Sequence, residues 1–288
     1  MSTQHESDAT DPPFALTRFE PRHLPGALQL SREVAWPYRA EDWLFALKTG
    51  EGLVFARGDA VIGTAMWWGY GQSFATLGMI IVTPALQGGG YGSCLFDGLL
   101  AATSGRNLLL NATPEGIALY ERRGFVAFRS VIQHRGPLRI AVTPDPQDDI
   151  RPANAADLAA ITAIDAQAAG MDRAPLVEAL ADVGDTRVID RGGRIAGYAI
   201  ARRFGLGYVV GPVVAGNAED ARRLILSHLP ALHGHVVRID IHAEDGLGDW
   251  LTQLGLEPYS RVTSMGRGRL PVREGGMRVY ALANQSMG

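Results

Sequence analysis

The stretch IIVTPALQGGGYGSCLFDGLL (residues 80–100) constrains the fold more than any other part of the chain. An apolar β-branched run stops at Pro84, glycines crowd the next turn, and a run with Leu95, Leu99 and Ala102 on one helical face follows. A strand that hands over to a helix through so tight a turn places both elements in one layered α/β architecture. At the start of such a helix the first backbone N–H groups lack intrahelical acceptors, and the helix dipole adds positive potential. Glycine keeps side chains out of the way, so the amides can converge on an anion. The turn reads as a phosphate or pyrophosphate site, and by itself it does not name the ligand.

Three designs build such a turn. An NTPase P-loop needs Lys and Ser or Thr after its last glycine, whereas Gly92 is followed by Ser93 and Cys94. A dinucleotide fingerprint, G-x-G-x-x-G, is missed in both registers, because Gly88 and Gly90 lead to Ser93, and Gly90 and Gly92 lead to Leu95. The third design fits. Gln87-Gly88-Gly89-Gly90-Tyr91-Gly92 resembles the Q/R-x-x-G-x-G/A acetyl-CoA signature of the GNAT superfamily of N-acetyltransferases. Asn111 follows the next strand, and Leu119-Tyr120-Glu121-Arg122-Arg123-Gly124-Phe125 is similar to that superfamily's L-Y-x-x-x-G-F segment. The resemblance spans residues 14–135.

The resemblance implies acetyl-CoA as cofactor, CoA as product and a small-molecule amine as acceptor. It implies that Gln87, Gly88, Gly89, Gly90, Tyr91, Gly92 and Ser93 hold the pyrophosphate. The strand end Ile80, Ile81 and Val82 would pair with the pantetheine arm, and Asn111 would hydrogen-bond the same arm. Tyr120 would protonate or hydrogen-bond the departing thiolate, and the amine would attack directly in a ternary complex. The strand before the loop, SFATLGMIIV, has no acid or histidine, so it supplies no general base. In relatives the helical segment that follows the first strand lines the acceptor site. Here it offers Glu33 and Asp42 as bases, and Trp36, Tyr38 and Trp43 as an aromatic wall or as ordinary core. Cys94 reads as a small packing residue, since no histidine lies near it in sequence.

Around that motif the chain reads as strand, two helices, a hairpin turning at Gly58-Asp59, then strand, glycine turn, helix, strand, helix, and a strand or two to His134. The order recurs after a Pro- and Asp-rich stretch, which suggests duplication. The reading divides the chain into a disordered lead-in (1–13), a catalytic domain (14–136), a linker (137–149) and a second domain (150–288). The expected fold class is α/β, two tandem GNAT-like domains, each a mixed, mostly antiparallel sheet flanked by helices. Aligned by element order, Gly211 to Asp220 falls where the cofactor loop belongs, yet it lacks the glycine run and carries Glu219 and Asp220. Leu251 takes the place of Tyr120. The second domain therefore reads as a degenerate copy without a cofactor site, its last stretch docking as a strand or helix.

Composition excludes other classes. The net charge of −3 and pI of 6.2 argue against a nucleic-acid partner. The single cysteine excludes an internal disulfide, no metal site is expected at His233, His235, Asp240 and His242, and no apolar run spans a membrane. A cytoplasmic location follows as the default, with homo-oligomerisation left open. Two alternatives compete with small-molecule acetylation: an acyl-CoA sensor without turnover, and a protein acetyltransferase.

Overall fold

The structure, a computed structural model, describes residues 14–139 and 149–288. The expected lead-in and most of the expected linker lie outside the described residues. In the first half, β1 (Ala15–Arg18) leads to α1 (Leu24–Glu33) and α2 (Ala40–Thr49). Then come the hairpin β2 (Glu51–Arg57) and β3 (Ala60–Tyr70), and β4 (Phe74–Val82). α3 (Tyr91–Ala102), β5 (Asn107–Ala112), α4 (Ile117–Glu121) and β6 (Val126–Pro137) complete the half. The second half repeats this plan with β7 (Ile150–Pro152), α5 (Leu158–Ala169), α6 (Ala174–Val183), β8 (Asp185–Arg191), β9 (Arg194–Phe204) and β10 (Gly207–Ala215). α7 (Ala218–His228), β11 (Val236–His242), α8 (Gly248–Gln253), β12 (Glu257–Arg267) and β13 (Arg278–Ala281) follow.

The local chemistry explains the elements that the sequence announces. Pro25 sits in the first turn of α1, where a missing N–H removes no bond. α2 opens with the Asp42 carboxylate accepting the Arg39 amide at 2.9 Å, which satisfies one orphan donor. The segment after Phe125 forms one strand rather than two.

The two halves do not keep separate sheets. Among the described residues, thirteen strands form one sheet in the order β1-β2-β3-β4-β5-β12-β6-β11-β13-β10-β9-β8-β7. β4–β5 and β10–β11 are parallel, and the remaining pairs are antiparallel. β12, from the second half, pairs with β5 (Ser264 opposite Asn111), while β6, from the first, pairs with β11 (Ile132 opposite Ile241). The two exchanged strands meet at the centre, with Val131 opposite Val262. Each half thus contributes a strand to its partner's side of the sheet.

The cores follow the same logic. On one sheet face α1, α2, α5 and α6 share a single core, containing Leu30, Trp43, Ile161 and Leu180. On the other face α3 packs Leu95, Phe96 and Leu99 on the first half, and α7 packs Leu224 and Ile225 on the second. Burying side chains of both halves in one core ties them together through the hydrophobic effect, at about 25 cal/mol per Å² of apolar surface. Cys94 is exposed on α3, so it is not the packing residue expected from sequence. No helix among the described residues is long and apolar enough to cross a membrane.

Candidate functional site

β4 and β5 run parallel from Phe74 opposite Asn107 to Leu77 opposite Leu110, and their pairing then ends. β4 continues to Val82 with its β3 side still paired, so its β5-facing edge beyond Leu77 has no strand against it. The divergence comes at an irregularity between Thr64 and Met66 of β3, opposite Met79, which holds a left-handed φ of 51°. That conformation costs a non-glycine residue roughly 1–2 kcal/mol. The buried Thr64 hydroxyl donates to the Met79 carbonyl at 2.8 Å and pins the bulge.

Beyond Val82 the chain crosses from Thr83 to Gly90 before α3 begins. Gly90 stands at the helix N-cap with φ of 86°, and no side chain caps this end. The amides of Tyr91, Gly92 and Ser93 are therefore open donors at the positive end of a helix. A Cβ at Gly88 or Gly90 would meet nothing within 4 Å, so the loop leaves space in front of those donors. The Gln87 side chain donates to the Val82 carbonyl at 3.1 Å and braces the loop against the strand end. These features fit a diphosphate: uncapped amides, a helix dipole and open space.

Tyr120, on α4, is 9% exposed and packs against Phe96 and Phe125 at ring distances of 4.8 and 6.3 Å. Burial pushes its hydroxyl up to about 12, so it keeps its proton at neutral pH. Among the described residues that hydroxyl has no hydrogen-bond partner. It lines a cleft of about 440 Å³, which also reaches Met79, Ile80 and Asn111. Trp36 and Tyr38 from the α1–α2 connection line the cleft together with Phe204, Arg238 and Tyr259 from the second half.

The remaining expected residues divide. Trp36 and Tyr38 form an aromatic edge, 5.8 Å between centroids, and Tyr38 meets Phe204 at 5.3 Å. Trp43 does not reach the cleft: it is fully buried, with its indole N–H donating to the Ser31 hydroxyl at 3.3 Å. Asp42 is also core rather than a base. It binds the Arg39 guanidinium at 2.7 Å and accepts the Gly205 amide at 2.9 Å, tying α2 to the β9–β10 turn. Glu33 is exposed outside the cleft lining and accepts from the Thr83 hydroxyl at 2.8 Å. The Ile81 side chain is buried in the shared core and Val82 packs toward the α3 core, so either could meet a ligand only through main chain. The Tyr91 ring packs on Phe55 at 5.2 Å. The Asn111 amide donates to the Gln285 carbonyl at 2.7 Å while its oxygen accepts from the Ser264 hydroxyl at 2.6 Å.

Some cleft residues escaped the sequence reading. Glu115 follows β5 in a Thr-Pro-Glu-Gly turn, a signal that could have been taken up. Arg135 and Tyr259 come to the cleft on the exchanged strands β6 and β12, Arg238 on β11 and Ser286 in the turn after β13, placements for which no local motif exists. Gly78 is glycine because a Cβ there would lie 2.6 Å from that of Ser286.

The second half has a different end. The expected alignment shifts: Gly211-Pro212 lies inside β10, and the turn into α7 is Gly216-Asn217 alone. Asn217 caps α7 by accepting the Asp220 amide at 2.9 Å, so this helix start is already satisfied. Leu251 is fully buried. β10 and β11 pair only at Tyr208–Val237 and Val209–Arg238, and β13 then enters between them, with Val214 opposite Val279 and Ile241 opposite Ala281. The wedge left open between β4 and β5 is filled in the second half by the protein itself.

Comparison with known proteins agrees with this architecture. Two family profiles, both described as "Acetyltransferase (GNAT) domain", match residues 48–127 and 161–281. The "uncharacterized N-acetyltransferase YitH" of Bacillus subtilis is 25% identical over 281 residues, covering 95% of this chain and 98% of that protein. A crystal structure of an acetyltransferase candidate from Pyrococcus horikoshii superposes with a TM-score of 0.81 at 18% identity, over 100% of both chains. A tandem GNAT protein from the clavulanic acid biosynthesis pathway gives 0.62 at 16% identity, over 88% of this chain and 98% of that one. With a domain of this kind matched in each half, the chain is a tandem member of the GNAT acetyltransferases.

Proposed function

We propose that the chain moves the acetyl group of acetyl-CoA to the amine of a small molecule, by direct attack in a ternary complex, within the cleft between the halves. One observation carries this reading: the unpartnered hydroxyl of Tyr120 and the unpaired edge of β4 line the same cleft. Bound acetyl-CoA would supply an activated acetyl thioester. The Tyr91, Gly92 and Ser93 amides, with the glycine turn and Gln87, would hold its diphosphate. Main-chain groups of Ile80 to Val82 would orient the arm and present an N–H to the carbonyl, where a fixed donor favours developing negative charge. Asn111 keeps one amide hydrogen beyond its bond to Gln285, and that hydrogen is its contribution to the arm. Tyr120 would donate a hydrogen bond to the sulfur as it takes up charge.

Among the described residues lining the cleft, Glu115 is the one acid and there is no histidine. Its own backbone amide and Thr113 hold the Glu115 carboxyl below the usual range. It stays charged and attracts an ammonium, but makes a weak base. Loss of the amine proton thus falls to water, or the amine arrives neutral.

Two measurements test this reading. Acetyl-CoA at 100 times its Kd stabilises a protein that binds it only when folded by about 2.7 kcal/mol, so the melting temperature rises. A panel of small amines, read by released CoA thiol, yields turnover with at least one acceptor. An unchanged melting temperature at millimolar acetyl-CoA contradicts the reading.

A further inference from the structure

We propose that the acceptor amine carries an anionic group, a carboxylate or a phosphate, received by an arginine wall on the second-half side of the cleft; this rests on the acetyl-transfer reading above. β12, β6 and β11 lie side by side, and their register sets Arg135 directly opposite Arg238 on one side and Glu257 on the other. Like charges directly opposed across strands are destabilising, so this pairing needs a compensating partner. Arg238 has one: its guanidinium donates to the fully buried Asp240 carboxylate at 2.6 and 3.0 Å. Arg135 does not. Its guanidinium lies 3.5 Å from the centroid of the Tyr259 ring, and among the described residues it forms no ion pair, even with Glu257 one strand away.

Arg135 and Arg238 share one face of the sheet and line the cleft, against the single carboxylate of Glu115. Arg202 adds to the field behind the wall, 4.7 Å from the Phe204 ring centroid, with a buried Nε that has no partner. Burial and the neighbouring Arg238 hold Arg202 down to about 10, still charged at neutral pH. A planar guanidinium fork matches the oxygens of a carboxylate or phosphate, and a stacked one loses little freedom on binding. A purely cationic polyamine would meet this wall with repulsion.

The test uses protein saturated with acetyl-CoA, so that the glycine loop is filled and added anions report on the arginine wall. Inorganic phosphate and acetate are titrated separately, and the melting temperature is compared with sodium chloride at matched ionic strength. A saturable rise with either anion is expected, with phosphate alone, or acetate alone, identifying the group. Arg135→Gln weakens that response about tenfold, the loss of a charge-assisted hydrogen bond. Arg135→Met, which keeps an unbranched side chain against the Tyr259 ring, carries the same expectation if the Gln variant fails to fold. A response equal to chloride, or one unchanged in the variants, overturns the anionic acceptor and leaves acetyl transfer standing. Absence of any shift with acetyl-CoA itself overturns both.

Discussion

A free thiol titrates near 8.5, whereas Tyr120 is held up to about 12 by burial against its aromatic neighbours. Full proton transfer from this hydroxyl to a thiolate would be uphill by about 5 kcal/mol, so the role we propose for it is hydrogen-bond donation. Tyr120→Phe is therefore expected to lower kcat about 10–100-fold while the Kd for acetyl-CoA stays within about twofold. Steady-state rates paired with calorimetry check this, and an unchanged kcat removes the role. Tyr120 and the Gln87–Ser93 loop could be read from sequence because both motifs are local. Asp42 and Trp43 could not. The bond from Asp42 to the Arg39 amide is local, but its tie to Gly205, separated from it by 163 positions, turns it from the cleft and has no local signal.

Elements defined by their own sequence, such as α2 and the β2–β3 hairpin, are where the sequence reading places them. β12 and β13 are not individually legible in the sequence, because their partners lie in distant strands and the pattern EPYSRVTSMGR alternates weakly. Side-chain ties between elements are equally invisible. Arg151 of β7 holds Asp157, just before α5, at 2.7 Å and Asp190 of β8 at 2.8 Å. The Arg151 guanidinium draws the Asp157 carboxyl down to about 2, below its ordinary value of 3.8. A carboxyl whose folded value is depressed stabilises the fold above its unfolded value and loses that contribution as pH falls through the folded one. The melting temperature should thus fall between about pH 4 and pH 2, and Arg151→Ala should flatten that part of the profile. A variant with the wild-type acid profile would show that this tie contributes nothing.

At the scale of the whole molecule, duplication was apparent from the repeated element order, but the exchange of β6 and β12 was not. Sequence order assigns a strand to its own half; hydrogen-bond register across β5, β12, β6 and β11 assigns it to the other. One continuous sheet and one shared core make the halves a single cooperative unit. Calorimetry is expected to record a single unfolding transition, whereas two separated transitions would contradict this coupling. The same asymmetry would restrict the proposed cofactor site to the first half, since one wedge is open and its counterpart holds β13. The most direct measurement is isothermal titration of acetyl-CoA into the intact chain and into Gly90→Glu. One site per chain is expected in the wild type and none in the variant, whose added carboxylate stands before the α3 amides. Two sites, or wild-type binding in the variant, would contradict this.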